Sequence, residues 1–139
     1  MTCIIAKNVM SENLNILNES EVLYAARSGV TRRKVTDLMN LAGFTLSEMG
    51  QYVHVTPRTL QRKNSTEKLP TDISERVLLI QNLYYKGSKV FGTIDAFKQW
   101  MLQPNAALGE VTPKSFLDTF SGIELIMHEL GRIEHGFVA

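Results

Sequence analysis

The stretch MHELGRIEHGFVA, Met127 to Ala139, places His128, Glu129, Glu134 and His135 within eight residues. Zinc-dependent hydrolysis is the chemistry such residues suggest. In an H-E-x-x-H helix, two imidazoles one turn apart share an ion and the glutamate acts as general base. After His128 and Glu129 the second histidine belongs at position 132, which is Arg132. His128 and His135 share a helix face, but at ~1.5 Å per residue they stand about 10 Å apart along the axis. Zinc bonds of about 2.0 Å cannot span that gap. The spacing therefore removes a metal site. No phosphate-binding loop and no nucleophile with a positioned base occurs elsewhere in the chain, so an enzyme is not expected and no cofactor is implied.

The chain has 139 residues, enough for one domain or for two small ones sharing a core. A hydrophobic fraction of 44% places it among soluble globular proteins. Its apolar runs fall short of the ~20 residues that cross a bilayer, and no apolar core of a signal peptide follows Lys7, so no membrane association and a cytoplasmic location are expected. Cys3 is the only cysteine and lacks a disulfide partner. The formal charge of +1 conceals an asymmetry: residues 1–26 carry −2, residues 27–68 carry +5 and residues 69–139 carry −2. A basic middle suggests an anionic partner, and the acidic second half a different one.

Nearly every segment reads as helix, giving an all-α protein. Residues 1–20 are polar and Asn-rich, as expected of a flexible arm, with a short helix from Glu19 to Arg27 stopped by Gly29. Thr31 caps a helix to about Ala42, ended by Gly43. Thr45 starts another, with Glu48 completing a capping box. Thr56 opens a third, with Pro57 in the first turn, where its missing N–H costs nothing. Thr71 or Asp72 caps the long helix ISERVLLIQNLYYKGSKVFG, and Thr93 opens a helix through Trp100 to Leu102. QPNAALG reads as turn-rich. Pro104 and Pro113 bracket a stiff link, whose backbone groups Asn105 and Asp118 are placed to satisfy. A short helix is expected over Ser115 to Phe120, with Gly122 leading into the last one. Phe97, Trp100, Phe116 and Phe120 are the expected core of the second half.

FTLSEMGQYVHVTPRTLQRK carries the strongest local signal. Met49, Val53, Val55 and Leu60 are spaced to seal two helices together, and Gly50 stands where a helix-turn-helix requires a small residue. His54 occupies the turn position that favours a positive φ, which histidine tolerates better than most residues. The outward positions Arg58, Thr59, Gln61, Arg62 and Lys63, after the cap Thr56, are all donors. Arg and Gln read guanine and adenine edges, and Lys and Thr suit phosphates. Arg32 and Arg33, beside Lys34, either add phosphate contacts or form a solvated face. Tight binding by one such unit calls for a homodimer on a two-fold operator.

The pairing of TLSEMGQYVHVTPRTLQRK with ERVLLIQNLYYKGSKVFG and FKQWMLQPNAALGEVTPKSFLDTFSGIELIMHELGRIEHGFVA resembles the Xre/MbcA/ParS family of antitoxins. The more specific half is C-terminal: Trp100 and Leu102, Pro104-Asn105, Ala107-Leu108-Gly109, Pro113, Leu117-Asp118-Thr119, Gly122, then Ile133-Glu134-His135-Gly136. The resemblance spans about residues 25–139. It implies an operator-binding domain at 21–83 and a toxin-binding domain at 84–139. In the RES-Xre type, it further implies a RES toxin of ADP-ribosyltransferase-like fold that depletes NAD.

On a helical wheel Ile123, Ile126, Leu130, Ile133 and Phe137 form an apolar stripe, with Glu124, His128, Arg132 and His135 opposite. The end of this helix, Arg132, Glu134, His135, Gly136, Phe137, Val138 and Ala139, is where the resemblance locates toxin occlusion. An apolar GFVA tail gains ~25 cal/mol per Å² when it finds a groove. The competing reading is a phage-repressor-like regulator whose C-terminal half only dimerises.

Overall fold

The computed structural model describes residues 15–136 and arranges them as seven α-helices and two short 3-10 turns. These are α1 (Glu19–Ser28), α2 (Arg32–Ala42), α3 (Leu46–Val53), α4 (Pro57–Arg62), α5 (Thr71–Phe91), α6 (Ile94–Met101) and α7 (Phe120–Glu134). The 3-10 turns, Ala106–Leu108 and Pro113–Phe116, lie in the link between α6 and α7.

Side-chain caps set most of the starts. Thr31, Thr45, Thr56 and Thr93 each accept a hydrogen bond from a backbone N–H in the first turn they precede, as read from the sequence. Asn18 caps α1 and forms a capping box with Glu21. Leu17 is also fixed: Asn82 of α5 accepts from its N–H at 2.9 Å and donates to its carbonyl at 2.9 Å. Residues 17–20, expected in the arm, thus belong to the folded body, while 1–14 lie outside the described residues.

Three local expectations are corrected. Neither Thr71 nor Asp72 caps α5; the helix begins at Thr71 because Pro70, with φ −56°, takes the N-cap position and accepts from Ser74 N–H at 2.9 Å. The segment 115–120 is not a helix of its own. The 3-10 turn ends at Phe116, and Thr119 caps α7 by accepting from Gly122 N–H at 3.0 Å, so Gly122 lies inside the helix. Phe120 is 48% exposed and outside the core, whereas Phe97 is fully buried and Trp100 and Phe116 are half-buried.

The centre of the molecule is α5. Its 21 residues, about 30 Å of helix, pack against α1, α2, α3, α6 and α7. It crosses the expected boundary at 83/84 without a break, and the buried residues on both sides form one continuous core. The core is crossed by a chain of aromatic rings. Tyr52 meets Phe44 at 5.0 Å between centroids, Phe44 meets Tyr84 at 5.4 Å and Tyr84 meets Phe97 at 5.0 Å, all edge-on. Burial pushes the Tyr52 phenol up to about 12 and the Tyr84 phenol higher still.

Phe97 reaches Tyr84 because α5 is bare where α6 crosses it. A Cβ on Gly87 would lie 2.3 Å from the Phe97 ring. Gly87→Ala is expected to lower stability by about 1–3 kcal/mol through overpacking, and Phe97→Ala by about 3–5 kcal/mol through the cavity it leaves. Both losses are read from urea midpoints.

Candidate functional site

The helix-turn-helix is α3, a turn and α4. Gly50 is required there, since a Cβ at that position would lie 2.5 Å from the Val55 carbonyl oxygen. His54 ends α3 at φ 62°, ψ 43°, in the left-handed region assigned to it from the sequence, and its N–H donates to the Gly50 carbonyl. Six residues make too short a helix to persist alone. α4 is held instead by fully buried Leu60 and by Thr56, whose hydroxyl accepts from Thr59 N–H at 3.2 Å.

Arg58, Thr59, Gln61 and Arg62 are exposed and share the outer side of α4, with Thr56 exposed at its start. Lys63 is half-buried and paired with Glu67 at 3.0 Å, which holds that carboxyl below the usual carboxylate range and offsets part of the lysine charge. The two α2 arginines differ. Arg33 is exposed, whereas Arg32 donates from Nε to the Leu60 carbonyl at 2.8 Å and from its terminal nitrogen to the Thr36 hydroxyl. Arg32 therefore ties the end of α4 to the start of α2. The Leu60 carbonyl also accepts from Lys63 N–H at 3.3 Å, so Arg32 is a second donor to that helix end.

The second surface is the free end of α7. Ile123, Ile126 and Leu130 are buried and Ile133 half-buried, while Glu124, His128, Arg132 and His135 are exposed, as the helical wheel requires. Glu134 accepts from Lys86 of α5 at 2.9 Å through both oxygens, and that bond keeps its carboxyl below the usual range. Arg132 approaches Glu129 at 3.4 Å. Sequence reasoning did not single out Lys86, and it weighed Glu129 only as part of the rejected zinc motif, not as a partner of Arg132. Glu129 is buried at 4% exposure, and its other oxygen has no partner among the described residues. Its neighbour Arg132 three residues on is the one signal that could have found it. Gly136 is exposed at φ 80°; Phe137, Val138 and Ala139 lie outside the described residues.

In the link, Asn105 accepts from Ala107 N–H at 2.8 Å, the backbone role expected of it. Asp118 contributes through its own carbonyl, which accepts from His54 Nε2–H at 2.7 Å and lies 3.4 Å from the Arg76 guanidinium. Glu48 pairs with Lys114 at 2.7 Å. Among the described residues no three His, Cys, Asp or Glu side chains converge on a metal position, and no helix is long and apolar enough to cross a membrane.

A helix-turn-helix is joined through one long helix to a second helical layer, with an exposed donor row at one place and a polar helix end at another. Residues 21–82 match the antitoxin Xre-like helix-turn-helix domain, and residues 86–136 match the antitoxin Xre/MbcA/ParS C-terminal toxin-binding domain. Antitoxin Xre of Photorhabdus laumondii subsp. laumondii is 34% identical over 107 residues, covering 76% of this chain and 72% of the relative. The fold is similar to that in the crystal structure of the M. tuberculosis MbcT–MbcA toxin–antitoxin complex, with a TM-score of 0.57 and 17% identity over 78% of this chain and 96% of that one. The chain belongs to the Xre/MbcA/ParS family of antitoxins.

Lys114 is the first cause of the lowered Glu48 carboxyl, ahead of the Thr45 backbone N–H. A carboxyl lowered by folding stabilises above its unfolded value of about 4.3 and loses that stabilisation as pH falls through its folded value. Lys114→Met is therefore expected to melt below the wild type at pH 7, with the difference closing as pH falls below the ordinary carboxylate range in thermal scans at stepped pH.

Proposed function

We propose that the chain is the antitoxin of a toxin–antitoxin pair, with no catalysis of its own. In this reading it silences a RES toxin that consumes NAD, and represses its own operon through α4. The observation that carries the proposal is the presence of two exposed polar surfaces on one continuous core. Arg58, Gln61 and Arg62 face outward from α4, and His128, Arg132 and His135 face outward from α7.

At the operator, Arg58 and Arg62 supply charge and forked donors, Gln61 reads a base edge, and Thr56, Thr59 and Lys63 serve phosphates, with Arg33 at the flank. A homodimer places two such helices one DNA turn apart. At the toxin, the segment from Arg132 to Ala139 enters the mouth of the catalytic site. Arg132 offers a cation to the acidic groups or bound phosphates of a NAD site, and the apolar tail excludes NAD by filling the groove. Glu134 contributes less than its position suggests, because Lys86 already holds both of its oxygens.

Replacing Arg58 and Arg62 together with Ala is expected to weaken operator binding by on the order of 100-fold, from about 1–3 kcal/mol per contact, in gel-shift titration. Capture of the toxin by that variant stays intact. Ending the chain after His135 gives the converse result: operator binding persists, and co-expression no longer rescues growth from the toxin. Rescue by that truncated chain would remove the occluding tail from the account.

A further inference from the structure

An apolar groove of about 610 Å³ lies between α1, α5 and the first half of α7. Leu23, Leu79, Phe120 and Met127 line it, with Leu23 45% and Phe120 48% exposed. Large apolar side chains left open in one groove mark a surface that something covers. Three exposed carboxylates, Glu19, Glu75 and Glu124, also line it, and among the described residues no basic side chain does. Asn82 lines it as well, and this is the side chain that accepts from Leu17 N–H and donates to the Leu17 carbonyl, each at 2.9 Å. The chain that precedes Leu17 therefore joins the body at the groove itself.

We propose that residues 4–10 of the same chain occupy this groove. Their sequence, IIAKNVM, is one that a helical turn would divide, with Ile5, Ala6, Val9 and Met10 along one side and Lys7 at its edge. Burying that apolar side against Leu23 and Phe120 removes both from water. Lys7 is the only base before Arg27, so the one cation of this segment is matched to a groove that carries three acids and no base. In helical form the segment spans about 10 Å, the same as Phe120 to Met127 along α7. Six residues separate Met10 from Leu17, and an extended chain of that length reaches about 20 Å, enough to place the segment anywhere along the groove. The tether gives it an effective concentration on the order of 1 mM, which a separate chain does not match. A second copy fits the groove less well. Two-fold pairing of this surface with itself would bring both sets of carboxylates into one interface with no cation from its lining to offset them. The proposal stands independently of the operator and toxin readings.

Cys3, the only cysteine, offers a place for a probe two residues before Ile5. A nitroxide attached to Cys3 of the full chain is expected to erase the backbone amide signals of Leu23, Phe120 and Glu124, and its chemical reduction to restore them. Ile5→Ser with Val9→Ser is expected to abolish the loss. Lys7→Glu weakens it, and combining that change with Glu124→Lys brings it back. A mixture of nitroxide-labelled chain with isotope-labelled Cys3→Ser chain distinguishes one molecule from two, and no loss is expected there. Losses in the mixture would mean that a second copy fills the groove, and overturn the proposal. Undisturbed signals in the labelled full chain, which would leave the groove to another protein, overturn it as well. So does a loss that persists unchanged in Ile5→Ser with Val9→Ser.

Discussion

The rest of the structure depends on how closely α6 approaches α5 at Gly87. Because that position carries no side chain, the Phe97 ring lies against bare helix and reaches Tyr84 at 5.0 Å. Tyr84 in turn touches Phe44, and Phe44 touches Tyr52 in α3. One close approach of a ring to bare helix thus joins the packing of both halves. Edge-on ring contacts of this kind add modestly to the larger stabilisation from apolar burial. Their arrangement fixes relative orientation, which burial alone does not.

That fixed orientation matters because the element proposed to read DNA is small. α4 has six residues and one fully buried side chain, Leu60. It has no stability of its own and takes its orientation from its surroundings: the Gly50 contact with the turn, the Arg32 bond to the Leu60 carbonyl and the His54 bond to Asp118. The end of α7, by contrast, is a continuation of a helix whose apolar stripe is buried on α5. The first surface is assembled from long-range ties and the second is extended from a single element. Both sit on the same core.

This difference explains what the sequence made legible. Threonine caps, the left-handed position of His54 and the apolar stripe of α7 are local rules acting over a few residues, and each could be read before any coordinates. The interior placement of Phe97 followed from helical spacing; the exposure of Phe120 did not, because the cap at Thr119 turns that residue outward at the start of α7. Arg32, Lys86 and Asp118 act across 28, 48 and 64 residues, and no local pattern announces such partners. The outward facing of the candidate donors was therefore legible, and the ties across the fold were not. Arg32 and Arg33 are adjacent letters with the same charge, yet one is a strut and the other is exposed.

The proposed mode of action is occlusion, in which the C-terminal segment would silence a partner enzyme by taking the place of its substrate. The most direct measurement is steady-state NAD hydrolysis by the purified cognate toxin, titrated with the full chain at several NAD concentrations. Occlusion predicts complete inhibition, with the half-inhibiting concentration of the chain rising as NAD is raised. A stable complex that still hydrolyses NAD, or inhibition indifferent to NAD concentration, would contradict it.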